Sequence, residues 1–211
     1  MNRANARATL FRTQREYAAF DQLLVKAKKH QPMRILAYCI MPNHWHIILW
    51  PEADGDLSRF LRWLTATHAQ RWHRCHGTSG TGHVYQGRFR AFPVEDDEHF
   101  LTVCRYVERN ALTAGLVDRA EQWRWSSLAR RVERDPRAME LLTRWPVRPT
   151  NLQQWLALMA QPIHEKELAA IRRCIERGTP YGSDSWSARV AGELGLSHTF
   201  RPRGRPREKP P

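Results

Sequence analysis

Apolar residues recur along the chain with two different periods, and the switches between them mark the elements. Over residues 12–30, Tyr17, Phe20, Leu23, Leu24 and Ala27 fall at helical spacing, with Lys26, Lys28 and Lys29 in the last turns, where cations suit the helix dipole. Residues 34–41 and 44–50 are instead rich in β-branched and aromatic side chains and are separated by Pro42-Asn43, which predicts a β-hairpin. A second amphipathic helix is predicted over 57–75, where Leu57, Phe60, Leu61, Leu64, His68 and Trp72 line one face behind acidic Asp54 and Asp56. The glycine-rich loop 76–82 leads into 84–94, where Arg88, Phe89, Arg90 and Phe92 predict a strand with basic and aromatic faces. Glu95-Asp96-Asp97-Glu98 then supplies an acidic helix start, and Phe100, Val103, Cys104, Val107 and Ala111 an apolar stripe ending near Ala114-Gly115. Beyond a tryptophan-rich stretch, Trp123-Arg124-Trp125-Ser126-Ser127, helical segments are expected around 152–159 and 165–177, and 201–211 reads as a disordered basic tail.

Charge changes the picture more than composition does. Among 211 residues, 34 Lys+Arg against 21 Asp+Glu leave +13, and with a sequence pI near 10.4 the first partner to expect is a polyanion. The plain alternative is a basic surface with no specific partner. Cys39, Cys75, Cys104 and Cys174 form no CxxC pair, which fits a reducing compartment. Residues 1–10 lack the apolar core of a secretory signal and no apolar run approaches a membrane span, so the cytoplasm is the expected location.

Side chains two apart on a strand share a face, so His44 and His46 can converge while Trp45 points away. Their Cα atoms are roughly 6.6 Å apart, a spacing from which two imidazoles can bind one divalent ion. A bare HxH is equally a pair of structural histidines, and it needs partners. Tyr106 and Asn110, four apart on the next helix, stack on one face at the edge of its apolar stripe, with Arg105 and Arg109 pointing further out. A tyrosine beside a metal can attack a phosphodiester, and an asparagine carbonyl can serve as a third ligand; an isolated YxxxN is more often an ordinary core edge.

Taken together, the HxH strand, Tyr85-Gln86-Gly87-Arg88-Phe89-Arg90, Arg105-Tyr106-Val107-Glu108-Arg109-Asn110, Ala114-Gly115-Leu116-Val117 and Trp123-Arg124-Trp125-Ser126-Ser127 resemble the REP-associated tyrosine transposases of the single-tyrosine HUH endonuclease superfamily. The resemblance implies an α+β fold with an antiparallel ferredoxin-like sheet packed by helices, to which the chain's own pattern adds a C-terminal helical extension and a basic tail. The expected division is 1–130, 131–198 and 199–211. The resemblance also implies that Tyr106 attacks single-stranded DNA to give a 5′-phosphotyrosine, that His44, His46 and Asn110 hold Mg²⁺ or Mn²⁺, and that the DNA is a REP-type hairpin, bound by a monomer or homodimer near the bacterial nucleoid.

Such DNA calls for cations along a groove and aromatic platforms, for which Gln86, Arg88, Phe89, Arg90, Arg105 and Arg109 are the candidates. Arg203 and Arg205 in Pro202-Arg203-Gly204-Arg205-Pro206 resemble an AT-hook, with generic tethering the alternative. His68, His73, Cys75 and His76 look like ligands in a row, but on one helix they cannot converge on a single ion. Relatives carry a basic segment and a strand ahead of the turn that Asn2-Arg3-Ala4-Asn5 resembles, so the first strand is expected to be missing here, through a misassigned start, which is favoured, or a real truncation. The rival functions are a non-catalytic hairpin-binding protein and a metal-dependent hydrolase that uses water; only the phosphotyrosine enzyme requires Tyr106.

Overall fold

The computed structural model describes residues 1–147, 149 and 151–201. Its frame is an antiparallel sheet in the order β1-β3-β2, with β1 Asn2–Arg3, β2 Arg34–Met41 and β3 His44–Trp50. The predicted hairpin turns at Pro42-Asn43, pairing Met41 with His44 at its closed end and Arg34 with Trp50 at its open end. On the other side of β3, Asn2 lies opposite Trp45 and Arg3 opposite His44. After a register irregularity between Ile35 and Ala37, the side chains of β2 alternate strictly, Tyr38 and Ile40 to one face, Cys39 and Met41 to the other.

Helices α1 (Gln14–His30) and α2 (Asp56–His76) cover the first face. Phe20 and Leu24 of α1 and Phe60 and Leu64 of α2 pack with Ile40 and Trp45 in one buried cluster, so the stripes legible in sequence are the ones buried. A capping box starts α1: Thr13 Oγ1 accepts from the Glu16 N–H at 3.3 Å, and Glu16 Oε2 accepts from the Thr13 N–H at 2.9 Å. Gly77, at φ 63°, ends α2 in the left-handed conformation.

Then follow α3 (Glu98–Glu108), α4 (Asn110–Thr113), α5 (Ser127–Glu133), α6 (Pro136–Leu141), α7 (Leu152–Ala160), α8 (Glu165–Arg177) and α9 (Asp184–Glu193). The second face of the sheet is buried under α3 together with α7 and α8. Leu36 and Ala37 share a cluster with Phe100, Cys104, Trp155 and Met159, while Cys39 and Met41 share another with Val103, Val107, Ile171 and Cys174. Helices α7 and α8, beyond residue 150, thus build core on the sheet. The fold is α+β, as expected, with a small antiparallel sheet between helical layers.

Two expectations need correction. Residues 84–94 form no regular strand: they make isolated bridges only, Ala4 with Tyr85 and Val94 with Tyr181. Gln86 N–H donates to Arg3 C=O and Arg90 N–H to Met1 C=O, so four residues on one side answer two on the other. The segment bulges around Gly87, and Pro93 has no N–H to extend a ladder. Helices α5, α6 and α9 went unpredicted. α5 has seven residues, too few for a period to show, and is announced only by Ser126, whose side chain accepts from Ala129 N–H. Arg203 and Arg205 lie outside the described residues. Among the described residues, no helix is long and apolar enough to cross a membrane.

Candidate functional site

The second face of β3 carries the histidines. His44 is half-buried and His46 buried, both on one face as strand alternation requires, with ring centroids 5.0 Å apart and planes nearly perpendicular. Asn43 Oδ1 lies 2.7 Å from His44 Nδ1. An amide oxygen only accepts, so Nδ1 carries the proton and Nε2 keeps its lone pair. Burial pushes His44 down to about 4, Arg3 pushing the same way and a hydrogen bond with Asn110 opposing it. His46 is pushed lower still, by burial first and then by His44 and Arg3. Both imidazoles are therefore neutral at neutral pH, the form in which histidine ligates a metal.

The helix facing them brings the other two residues. Tyr106 on α3 packs edge-on against His46, with centroids 5.4 Å apart at 88°. Asn110, one turn on, lies within polar reach of both Tyr106 and His44, between helix and strand. Burial raises the Tyr106 phenol, while Arg172 of α8, the Asn110 hydrogen bond and Arg3 pull it back down. The fold thus brings together Tyr106, Asn110, His44 and His46. The donors, two neutral imidazoles and an amide oxygen, fit a divalent cation.

Sequence reasoning missed Glu108, which sits between Tyr106 and Asn110 in the chain and is fully buried. Its carboxylate accepts from Ser127 Oγ at 2.6 Å and from Trp155 Nε1 at 2.8 Å, with Arg131 Nε at 3.8 Å. Ser127 Oγ in turn accepts from Tyr38 N–H at 3.0 Å, so one acid ties α3 to β2, α5 and α7. Burial raises its pKa, opposed by Arg131, Ser127 and Trp155. The available signal was position: an acid four residues after Cys104 falls inside the apolar stripe.

A family model described as "Transposase IS200 like" matches residues 1–110, ending on Asn110. The chain belongs to the IS200-like transposase family. It is 29% identical over 136 residues to a REP-associated tyrosine transposase of Escherichia coli K12, covering 64% of this chain and 76% of that protein. A putative REP-associated tyrosine transposase of Haemophilus influenzae is 23% identical over 113 residues, covering 50% of this chain and 64% of its own. The fold is similar to a solved REP-associated tyrosine transposase bound to a REP hairpin, with a TM-score of 0.52 at 22% identity over 72% of this chain and 82% of that one.

In this IS200-like transposase the basic candidates split into two groups. Gln86, Arg88 and Arg90 are exposed beside the N-terminal strand, and Phe89 is half-buried against the α1–α2 core. Arg105 and Arg109, expected to point outward, instead bind the end of α7. Arg105 donates to the carbonyls of Leu158, Gln161 and Pro162, and buried Arg109 to those of Met159 and Gln161. The last turn of a helix leaves carbonyls without partners, and these two guanidinium groups satisfy them.

The histidines of α2 are occupied separately, as expected. His68 Nδ1 lies 2.7 Å from Tyr85 Oη, His73 Nδ1 2.9 Å from Thr78 Oγ1, and His76 Nε2 2.9 Å from Glu16 Oε1. A further group, Glu95, Asp97 and His99, places three possible ligand atoms within 4.8 Å of one another. Its members have structural partners: Asp97 Oδ1 caps α3 at His99 N–H and meets His99 Nδ1, both at 2.8 Å, and Glu95 Oε2 accepts from Ser183 N–H at 2.7 Å.

Proposed function

We propose that this chain nicks and rejoins single-stranded DNA at REP-like hairpins through a 5′-phosphotyrosine on Tyr106. The observation that carries the reading is the convergence of Tyr106 with Asn110, His44 and His46, residues from a helix and a strand that share no local sequence. Tyr106 Oη attacks phosphorus; the Oη–P bond forms as the P–O3′ bond breaks, the phenol gives up its proton, and the departing strand leaves as a protonated 3′-hydroxyl. One phosphate ester replaces another, so attack by a 3′-hydroxyl on the phosphotyrosine rejoins DNA without an external energy source.

The chain's own groups prepare that step. Asn110 offers its amide to the phenol, the His46 ring packs edge-on against it, and nearby positive charge favours the phenolate that burial disfavours. His44, His46 and Asn110 are the residues that would hold a divalent ion. When bound, Mg²⁺ or Mn²⁺ supplies Lewis acidity to a non-bridging phosphate oxygen. A hairpin partner is supported by the net charge of +13 and by the REP hairpin held by the similar solved structure.

The test uses a labelled REP-like hairpin with a single-stranded flank, in Mg²⁺ or Mn²⁺. The wild-type chain is expected to give an SDS-resistant protein–DNA adduct and the Tyr106→Phe variant none. Cleavage by both without an adduct would replace this reading with a water-using hydrolase. Tight binding by both without cleavage would replace it with a hairpin-binding protein.

A further inference from the structure

Resting on that function, we propose that Arg3 and Arg172 form a two-armed clamp on the phosphate attacked by Tyr106, so that α8, beyond the family-matched residues 1–110, completes the site. The phosphodiester brings one negative charge and gains more in the transition state, so a nicking site needs fixed cations within reach of the nucleophile. The two arginines nearest Tyr106 in sequence cannot supply them, because Arg105 and Arg109 are engaged with carbonyls at the end of α7.

Arg3 arrives from the sheet. It is the Cα partner of His44 across β1 and β3, and its carbonyl accepts from Gln86 N–H at 2.9 Å, so its backbone is held from both sides. Its Nε is buried with no hydrogen-bond partner, a desolvated donor beside the histidine pair. Its charge acts on His44, His46 and Tyr106 alike.

Arg172 arrives from the opposite side. The preceding residue, Ile171, is fully buried in the cluster that includes Val103 and Val107 of α3, and Tyr106 and Ala170 pack against that cluster. One residue further round α8, about 100° on, places Arg172 at the exposed rim of this contact, where its charge reaches the phenol. A strand and a helix about 170 residues apart in sequence thus each bring one cation to the side of the site where Tyr106 sits. An arginine fork suits a tetrahedral phosphate better than a lysine point charge, because it can engage two oxygens at once.

The experiment compares Arg172→Gln with Arg173→Gln, which removes the same charge from the next exposed position of α8. With the flanked REP-like hairpin, R172Q is expected to slow adduct formation by about 10- to 100-fold and R173Q by less than about two-fold. A second readout needs no chemistry. In the Tyr106→Phe background, the dependence of hairpin binding on salt should flatten by about 0.7 in log–log slope for R172Q and stay unchanged for R173Q, the signature of one lost contact to a single-stranded phosphate. Arg3→Gln should behave like R172Q, and Arg172→Lys should recover part of the rate.

Equal adduct rates and equal salt slopes for R172Q, R173Q and wild type would overturn the clamp and leave the phosphotyrosine reading standing. A wild-type chain that forms no adduct while R172Q alone flattens the slope would keep the phosphate contact and overturn the chemistry. A chain that neither reacts with the hairpin nor binds it would overturn both.

Discussion

The two faces of the sheet are held by different kinds of interaction. Beneath α1 and α2, Phe20, Leu24, Phe60, Leu64 and Trp45 make an apolar layer with two short polar chains: Trp45 Nε1 donates to Tyr85 Oη at 3.1 Å and Tyr85 faces His68, while Tyr38 Oη donates to Asp21 at 3.1 Å beside Arg130. Beneath α3, α7 and α8 the apolar residues are interleaved with Glu108, Arg109, Ser127 and Asn110, bonded across long stretches of chain. The first face is mainly a packed scaffold, pinned at its edges by these polar contacts. The second must hold specific atoms at specific distances, which apolar packing alone does not specify.

The sharpest way to separate the faces is one substitution on each. Tyr106→Phe removes one oxygen from the second face and should abolish the adduct while leaving thermal stability nearly unchanged, because the phenol is half-buried and its ring packing remains. Phe20→Ala on the first face should do the reverse: a fully buried aromatic is lost, at a cost of about 3–5 kcal/mol in urea unfolding. The fraction still folded should form adduct at the wild-type rate. A large stability loss in Y106F would show that the nucleophile is also structural.

Glu108→Gln should fall between these two. It leaves the Ser127 and Trp155 donors with a poorer acceptor and removes the charge facing Arg131 inside a closed site, costing about 2 kcal/mol. Because the same carboxylate fixes α3 against β2, adduct formation should also drop several-fold under conditions where the variant is fully folded. Loss of stability with an unchanged rate would reduce Glu108 to packing and blur the distinction between the faces.

This contrast also explains what the sequence made legible. The periods of α1, α2 and α3, the hairpin at Pro42-Asn43 and the shared face of His44 and His46 follow from local geometry, and the structure has them where the pattern put them. The stretch 84–94 misled because alternation alone does not provide a partner strand; its N–H groups found Met1 and Arg3 with a bulge between. Arg105 and Arg109 misled because their acceptors lie at the end of a helix about 50 residues away, and a basic residue on a helix looks the same whether it faces water or a carbonyl. The convergence of Tyr106 on the histidines was expected only through the family resemblance, since no spacing rule relates residue 106 to residue 46.

The buried chain through His68 on the scaffold face has its own signature in pH. Burial lowers His68 from 6.5 to about 4, with Arg71 adding to it, so the unfolded chain takes up the proton before the folded chain does. Stability is then full above about pH 6.5 and declines as the pH falls toward 4, by about 2 kcal/mol at about pH 5. Urea unfolding at about pH 7.5 and about pH 5 should show this loss. His44 and His46 are displaced in the same direction, so His68→Gln should reduce the pH dependence without abolishing it. A slope unchanged in H68Q would assign the whole effect to the other face.

Thr13→Ala gives the smallest effect and the cleanest control. Losing its hydroxyl removes one half of the capping box and should cost about 1 kcal/mol, while Glu16 keeps its bonds to the N–H groups of Arg12 and Thr13 and its contact with His76. Helix α1 lies across the sheet from Tyr106, and the cap is at the helix end, outside the packed layer. Adduct formation at saturating DNA should therefore not change when the thermal midpoint drops. A rate that fell in step with stability would mean that the histidine strand transmits strain from one face to the other, and the scaffold would then have to be counted as part of the site.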